Sequence, residues 1–174
     1  AEEVAAQVAP DSGRGIEFLA ADWPGLSERE RSMAATLERS WSLLSQREQG
    51  ILAGLSVFRG GFAAEAAEAV AGATLRDLAR LMDRSLIYRR ESGRYDLHDL
   101  LREYASLKLR ASPDRGEGAR ERLADCLSRC LGRWEKDLYS PRMFGILAEI
   151  EPELANLIAC WQWALAGGHA GWLA

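Results

Sequence analysis

The 174-residue sequence is short of the side chains that usually carry chemistry. It has two histidines, His98 and His169, and three cysteines, Cys126, Cys130 and Cys160. The cysteines show neither CxxC nor a Cys/His zinc spacing, so reduced, partly buried thiols in a cytoplasmic protein are expected, with no metal. Long apolar runs are missing too. None approaches the roughly 20 residues that a membrane span needs, so no membrane contact is expected. The opening "AEEVAAQVAP" lacks the basic region and apolar stretch of a signal peptide. It also lacks an initiating Met, and the sequence stops at "GGHAGWLA", so we read it as a piece excised from a longer chain. No GxxxxGK[ST] phosphate loop, HExxH or GxSxG is present, and the two histidines lie far apart. No catalytic residue, no enzyme activity and no cofactor of its own are therefore expected of this chain. A formal net charge of −4 argues against a whole-surface nucleic-acid binder and leaves room only for a local basic patch.

What is present is a sequence with 48% hydrophobic and 28% charged residues, enough to bury a core and stay soluble. Residues 1–26 read as the remnant of a preceding helical domain followed by a Gly- and Pro-rich connector. From Ser27 the text becomes a series of short helices. Ser27 and Glu30 have the spacing of a capping box, and Met33, Leu37, Trp41 and Leu44 share one helical face. Ser45 and Glu48 repeat the device ahead of Ile51, Leu52 and Leu55. In "VFRGGF", Gly60 and Gly61 permit a turn that Phe58 and Phe62 can anchor. Ala63 to Ala71 is alanine-rich and stopped by Gly72. Thr74 and Asp77 open a further helix whose expected inner stripe is Leu75, Leu78, Ala79 and Met82. "SLIYRR", "ESG" and "RYDL" then spell strand, turn and strand, and a helix is expected from about His98 to Arg110.

Several helices, a hairpin and a helix are the layout of a winged-helix domain, here spanning residues 27–110. "ASPDRGEG" at 111–118 is the expected linker. Residues 119–174 give two amphipathic helices. One covers Ala119 to Leu138, with Leu123, Leu127, Cys130, Leu131 and Trp134 apolar. The other covers Phe144 to Ala166, with Ile146, Ile150, Leu154, Leu157, Ile158, Trp161 and Leu165 apolar. Spacing alone does not choose between a lone helical hairpin and the start of tetratricopeptide-like repeats. The expected fold class is mainly α with a small β-hairpin: a winged helix followed by antiparallel helices.

Two constellations invite function. Arg76, Arg80 and Arg84 advance in four-residue steps along the helix before the wing, and Arg89, Arg90 and Arg94 add charge from the wing itself. In a winged-helix DNA reader this helix enters the major groove. Asp77 and Asp83, at helical pairing distance, are expected to neutralise the stripe in part, and Asn, Gln, Ser and Thr are missing from its reading face. A solvated, self-paired face is the alternative. The second constellation is "YDLHDLLREYA". His98 stands where a strand becomes a helix, between Asp96 and Asp99. The helix dipole disfavours a protonated imidazole there, whereas free N–H groups at a helix start attract phosphate and a neutral imidazole can add a donor. Packing of His98 on the wing is the competing account.

"SWSLLSQREQGILAGLSVFRGGF", "LARLMDRSLIYR" and "YDLHDLLREYA", covering about Arg29 to Leu109, together resemble the winged-helix segment of STAND-class ATPases. These signal-transduction NTPases include NB-ARC proteins and large bacterial transcription regulators. Leu97, His98 and Asp99 occupy the three positions of the family's MHD motif, with leucine in place of methionine. The resemblance implies that His98 contacts the β-phosphate of ADP and helps hold a resting state. It also implies that the partners are an upstream nucleotide-binding domain and downstream helical repeats of the same chain, together with a protein effector. ADP or ATP with Mg would belong to the parent chain, because the phosphate loop and the Mg-binding acidic motif would lie before Ala1.

Overall fold

The structure, a computed structural model, describes residues 28–168. The expected connector at 1–26, the Ser27 cap and His169 lie outside the described residues. The chain divides into Ala1–Ser45 and Gln46–Ala174, and each is described by itself. The first contributes helix α1 (Glu28–Ser42). Along its expected face, Met33 is exposed, Leu37 and Trp41 are half-buried and Leu44 is buried.

The second unit runs α2 (Gln46–Leu55), α3 (Ala64–Ala71), α4 (Leu75–Asp83), β1 (Tyr88–Arg89), β2 (Tyr95–Asp96), α5 (Asp99–Arg110), α6 (Pro113–Asp137), α7 (Met143–Ile150), a 3-10 turn (Glu151–Glu153) and α8 (Leu154–Gly167). The fold is mainly α with one small antiparallel hairpin, the order of a winged helix followed by paired helices. Helix α2 packs on α3 and α5, and α6 packs along α3. Ile51, Leu52, Leu55, Phe58, Phe62, Val70, Leu78, Leu81, Leu97 and Leu101 form the core. Removing these side chains from water is the main stabilising contribution, each worth about 1.5–3 kcal/mol.

Local chemistry explains the ends. Gly72 closes α3 in the left-handed conformation. Thr74 caps α4 with Asp77 returning the bond, the complete capping box that the spacing predicts. Ser85 takes a positive φ of 57° after α4, so that the Leu86 N–H reaches back to the Leu81 carbonyl at 2.9 Å. The hairpin turns through Glu91, Ser92 and Gly93, with Gly93 at φ 82°. Strand β1 meets β2 with Tyr88 opposite Asp96 and Arg89 opposite Tyr95. Phe62 adds a third backbone partner by exchanging bonds with Tyr95 at 2.9 and 2.8 Å. Its ring lies 4.9 Å from that of Phe58, which anchors the Gly60–Gly61 turn as expected.

Four expectations need correction. The linker at 111–118 shrinks to Ala111–Ser112, because Pro113 sits in the first turn of α6, where its missing N–H is not needed. Helix α6 then runs back over α3, with the Arg122 Nε donating to the Val70 carbonyl at 2.8 Å. The single helix expected from 144 to 166 is split by the 3-10 turn at Pro152, which cannot donate to the carbonyl of Ala148 and crowds it. The inner stripe of α4 is Leu78 and Leu81 beside Asp77, while Leu75, Ala79 and Met82 face solvent. In α8 the inward side carries Asn156 and Ala164, and Leu154, Ile158, Trp161 and Leu165 line the exposed side. Helix α4 has one broad apolar face, but it is rotated so that only the edge holding Leu78 and Leu81 is buried, whereas α8 has apolar residues on more than one face; periodicity could not fix either orientation. Among the described residues, no helix is long and apolar enough to cross a membrane.

Candidate functional site

His98 is the N-cap of α5. Its backbone is extended and its carbonyl accepts the first helical bond, from the Arg102 N–H at 2.9 Å. Its imidazole makes no cap bond; it is exposed and stacks on the Tyr88 ring, with centroids 4.7 Å apart. The hairpin therefore braces the ring at the mouth of the helix. The imidazole packs on the wing, and it stays open to solvent beside the N–H groups of the first turn.

Directly beneath lies a polar cluster that sequence reasoning missed. Asp96, 1% exposed, accepts from Arg102 Nη2 at 2.5 Å, from Arg90 Nη2 and from its neighbour's N–H, Leu97, at 2.8 Å. Arg102 is itself buried; it also donates to the Leu97 carbonyl at 2.8 Å and to the exposed carboxylate of Asp99. A buried carboxylate is tolerable only when paired and hydrogen-bonded in this way. The cluster locks Leu97, and with it the position from which His98 projects. The one hint in the sequence was a carboxylate at a strand end, followed six residues later by an arginine on the inner face of a helix.

The six arginines of the basic constellation are held in different ways. Arg76 and Arg80 are exposed on α4, and Arg84 is exposed at its C-cap. Asp77, expected to neutralise them, is turned inward. Arg47 of α2 donates to it at 2.8 Å and Thr74 at 2.7 Å. These bonds, Arg47's first, hold the Asp77 carboxyl far below the usual carboxylate range. On the wing, Arg89 donates through Nε to the Gly93 carbonyl at 3.0 Å. Arg90 is engaged by Asp96. Arg94 is largely buried; it pairs with Glu153 at 2.6 Å and donates to the Gly61 carbonyl at 3.0 Å. Two of the three wing arginines are thus occupied by carboxylates of the same chain.

The Arg94–Glu153 pair belongs to a joint between the wing and α8. Asn156, 0% exposed, accepts from the N–H groups of Arg59 (2.7 Å) and Gly60 (3.1 Å). It donates to the Gly61 carbonyl at 3.0 Å and to Glu153 at 2.7 Å. A Cβ on Gly60 would fall 2.9 Å from the Pro152 carbonyl oxygen, and Gly61 holds a φ of 73°, so both glycines are required by this close approach. Burial pushes the thiols of Cys126 and Cys160 up. Among the described residues, no three His, Cys, Asp or Glu side chains are grouped to hold a metal ion.

The architecture is therefore that of a winged helix joined to a helical pair, with an exposed imidazole at the junction of wing and α5. Proteins named "Putative HTH-type transcriptional regulator" from Mycobacterium bovis and from two strains of Mycobacterium tuberculosis are each 30% identical to this chain over 165 residues. The match takes in 88% of the chain and 18% of each relative, so the chain spans about a fifth of the length of the curated relatives it matches. No family model matches the sequence, and no solved structure matches it.

Proposed function

We propose that this chain is a non-catalytic regulatory segment of a STAND-type transcriptional regulator, in which the winged helix senses nucleotide through His98 and passes that state to the helices that follow. The observation that carries the reading is the placement of His98. Its imidazole is exposed, has no cap bond and is braced by Tyr88 at the start of α5. Helix N-termini attract phosphate through their free N–H groups, and a neutral imidazole adds one donor. The relatives' names support a role in transcription regulation. In the parent protein, ADP held partly by His98 would favour a closed state, and exchange for ATP would release it. Asn156, Glu153 and Arg94 would carry the movement of the wing into α8. The exposed stripe Leu154, Ile158, Trp161 and Leu165 would be covered by further repeat helices, the downstream repeats that the family resemblance implies.

A charge-assisted bond to phosphate contributes about 1.5–3 kcal/mol. His98→Ala in the full-length parent should therefore speed ADP release by roughly tenfold or more and raise basal output. An unchanged ADP off-rate in that variant would sink the proposal.

A second reading has one observation in its favour. With Asp77 turned inward, Arg76 and Arg80 stand exposed on the helix that precedes the wing. If that helix enters DNA, the chain should bind duplex at low salt. Arg76→Ala with Arg80→Ala should then reduce the salt dependence by roughly one unit of slope per arginine. Absence of duplex binding at low salt removes this reading.

A further inference from the structure

A cleft of about 80 Å³ opens among α2, α5, α6 and α8, built from residues that belong neither to the wing nor to the start of α5. Its walls include Ser56 and Arg59 after α2, Ser106 of α5, Arg120 of α6, and Cys160 and Trp163 of α8. A water-sized site needs only about 10–15 Å³, so this volume admits a phosphate or carboxylate group with a small organic body.

The charge in the cleft is unbalanced. Among the described residues, the Arg59 guanidinium has no hydrogen bond or ion pair. Arg59 is exposed at the rim of the cleft; its partial burial against the neighbouring helices lowers its pKa, and the positive charges of Arg102, Arg110 and Arg120 lower it further, against the opposing field of Glu103. Arg102 is already held by Asp96 and Asp99. Arg120 reaches a carboxylate only at 3.8 Å, that of Glu117, and Glu117 also accepts from the Trp163 indole N–H at 3.3 Å. The Ser56 hydroxyl is committed to the Ala53 carbonyl at 2.6 Å, whereas that of Ser106 has no partner among the described residues. Arginines crowded together with one guanidinium unpaired are what an anion would relieve, since it adds charge-assisted bonds where like charges now oppose one another.

We propose that this cleft binds a small organic anion, a phosphate monoester or a carboxylate, held by Arg59 and Arg120 against the face of Trp163. Ser106 would add a hydroxyl donor. The site is independent of the nucleotide reading of His98, and it adjoins the Asn156 joint through Arg59, whose own N–H is the donor to Asn156. Occupancy would therefore stiffen the contact between the Gly60–Gly61 turn and α8.

The test titrates the chain, at constant ionic strength, with inorganic phosphate, phenyl phosphate and benzoate in turn. The Trp163 indole N–H is followed by NMR and assigned by its loss in Trp163→Phe. At least one probe should give a saturable shift with a Kd of about 1 mM or tighter, weakened roughly tenfold or more in Arg59→Gln and in Arg120→Gln and unchanged in Arg80→Gln. Saturation by the phosphates alone assigns a phosphate monoester, and by benzoate alone a carboxylate. Absence of saturation with all three probes overturns the proposal. So does parent-like affinity in Arg120→Gln, a partly exposed position whose replacement leaves the core intact.

Discussion

The arginines of α4 and those of the wing lie within twenty residues of one another, yet they meet different fates. Arg76 and Arg80 stay on the solvent face, while Arg90 and Arg94 are drawn onto Asp96 and Glu153. The difference follows from what lies behind each element. Helix α4 turns its one buried carboxylate, Asp77, toward Arg47 and Thr74, leaving Arg76 and Arg80 on the solvent face. The two-residue strands of the hairpin bury little apolar surface of their own, so charge adds to the Phe62–Tyr95 backbone pairing in fixing it: Arg90 to the strand end and Arg94 to the turn before α8. A basic cluster in a sequence is thus not held uniformly. Its members divide according to whether a carboxylate of the fold is within reach.

The comparison is broken or sharpened by substitution. The largest effect is expected for Asp96→Ala, which leaves Arg102, with its side chain 8% exposed, without its buried partner. Loss of a buried ion-pair partner costs about 3–5 kcal/mol, measurable by urea unfolding. Arg94→Ala should follow, with about 1–3 kcal/mol lost, because it takes the counter-charge from Glu153, leaving it the Asn156 amide, and removes a donor to the Gly61 carbonyl at a site slightly more open to water. Smallest of all, Arg76→Ala with Arg80→Ala should stay within about 0.5 kcal/mol of the parent, as solvent-facing substitutions do. A larger loss on α4 than on the wing would reverse the division drawn above.

How much of this was legible in the sequence varies by kind of feature. Helix ends were legible, because Thr74 with Asp77, and Gly72, act through bonds a few residues apart. The turns at Gly61 and Gly93 were legible for the same reason. The faces of α4 and α8 were not. Leu75 and Met82 looked as suited to the core as Leu78, and Trp161 as suited as Ala164, so only the neighbouring elements decide which are buried. Pro152 was in plain view, but the apolar spacing on either side of it argued for one continuous helix. In the candidate site, the position of His98 at a strand-to-helix junction was visible. Its contact with Tyr88 was not, because that contact requires the hairpin to close first. The partners of Asp96 were equally hidden, since a sequence shows which groups can pair without showing which ones meet.

The Asn156 joint has a consequence for how the molecule opens. The N–H groups of Arg59 and Gly60 belong to a loop, and loop amides ordinarily exchange with solvent through small local fluctuations. Here both are tied to a fully buried side chain of α8. Their exchange must wait until α8 lifts away, so they should share the protection of the helix and not that of the loop. The turn and α8 form a single cooperative unit of unfolding, even though nearly a hundred residues of chain separate them.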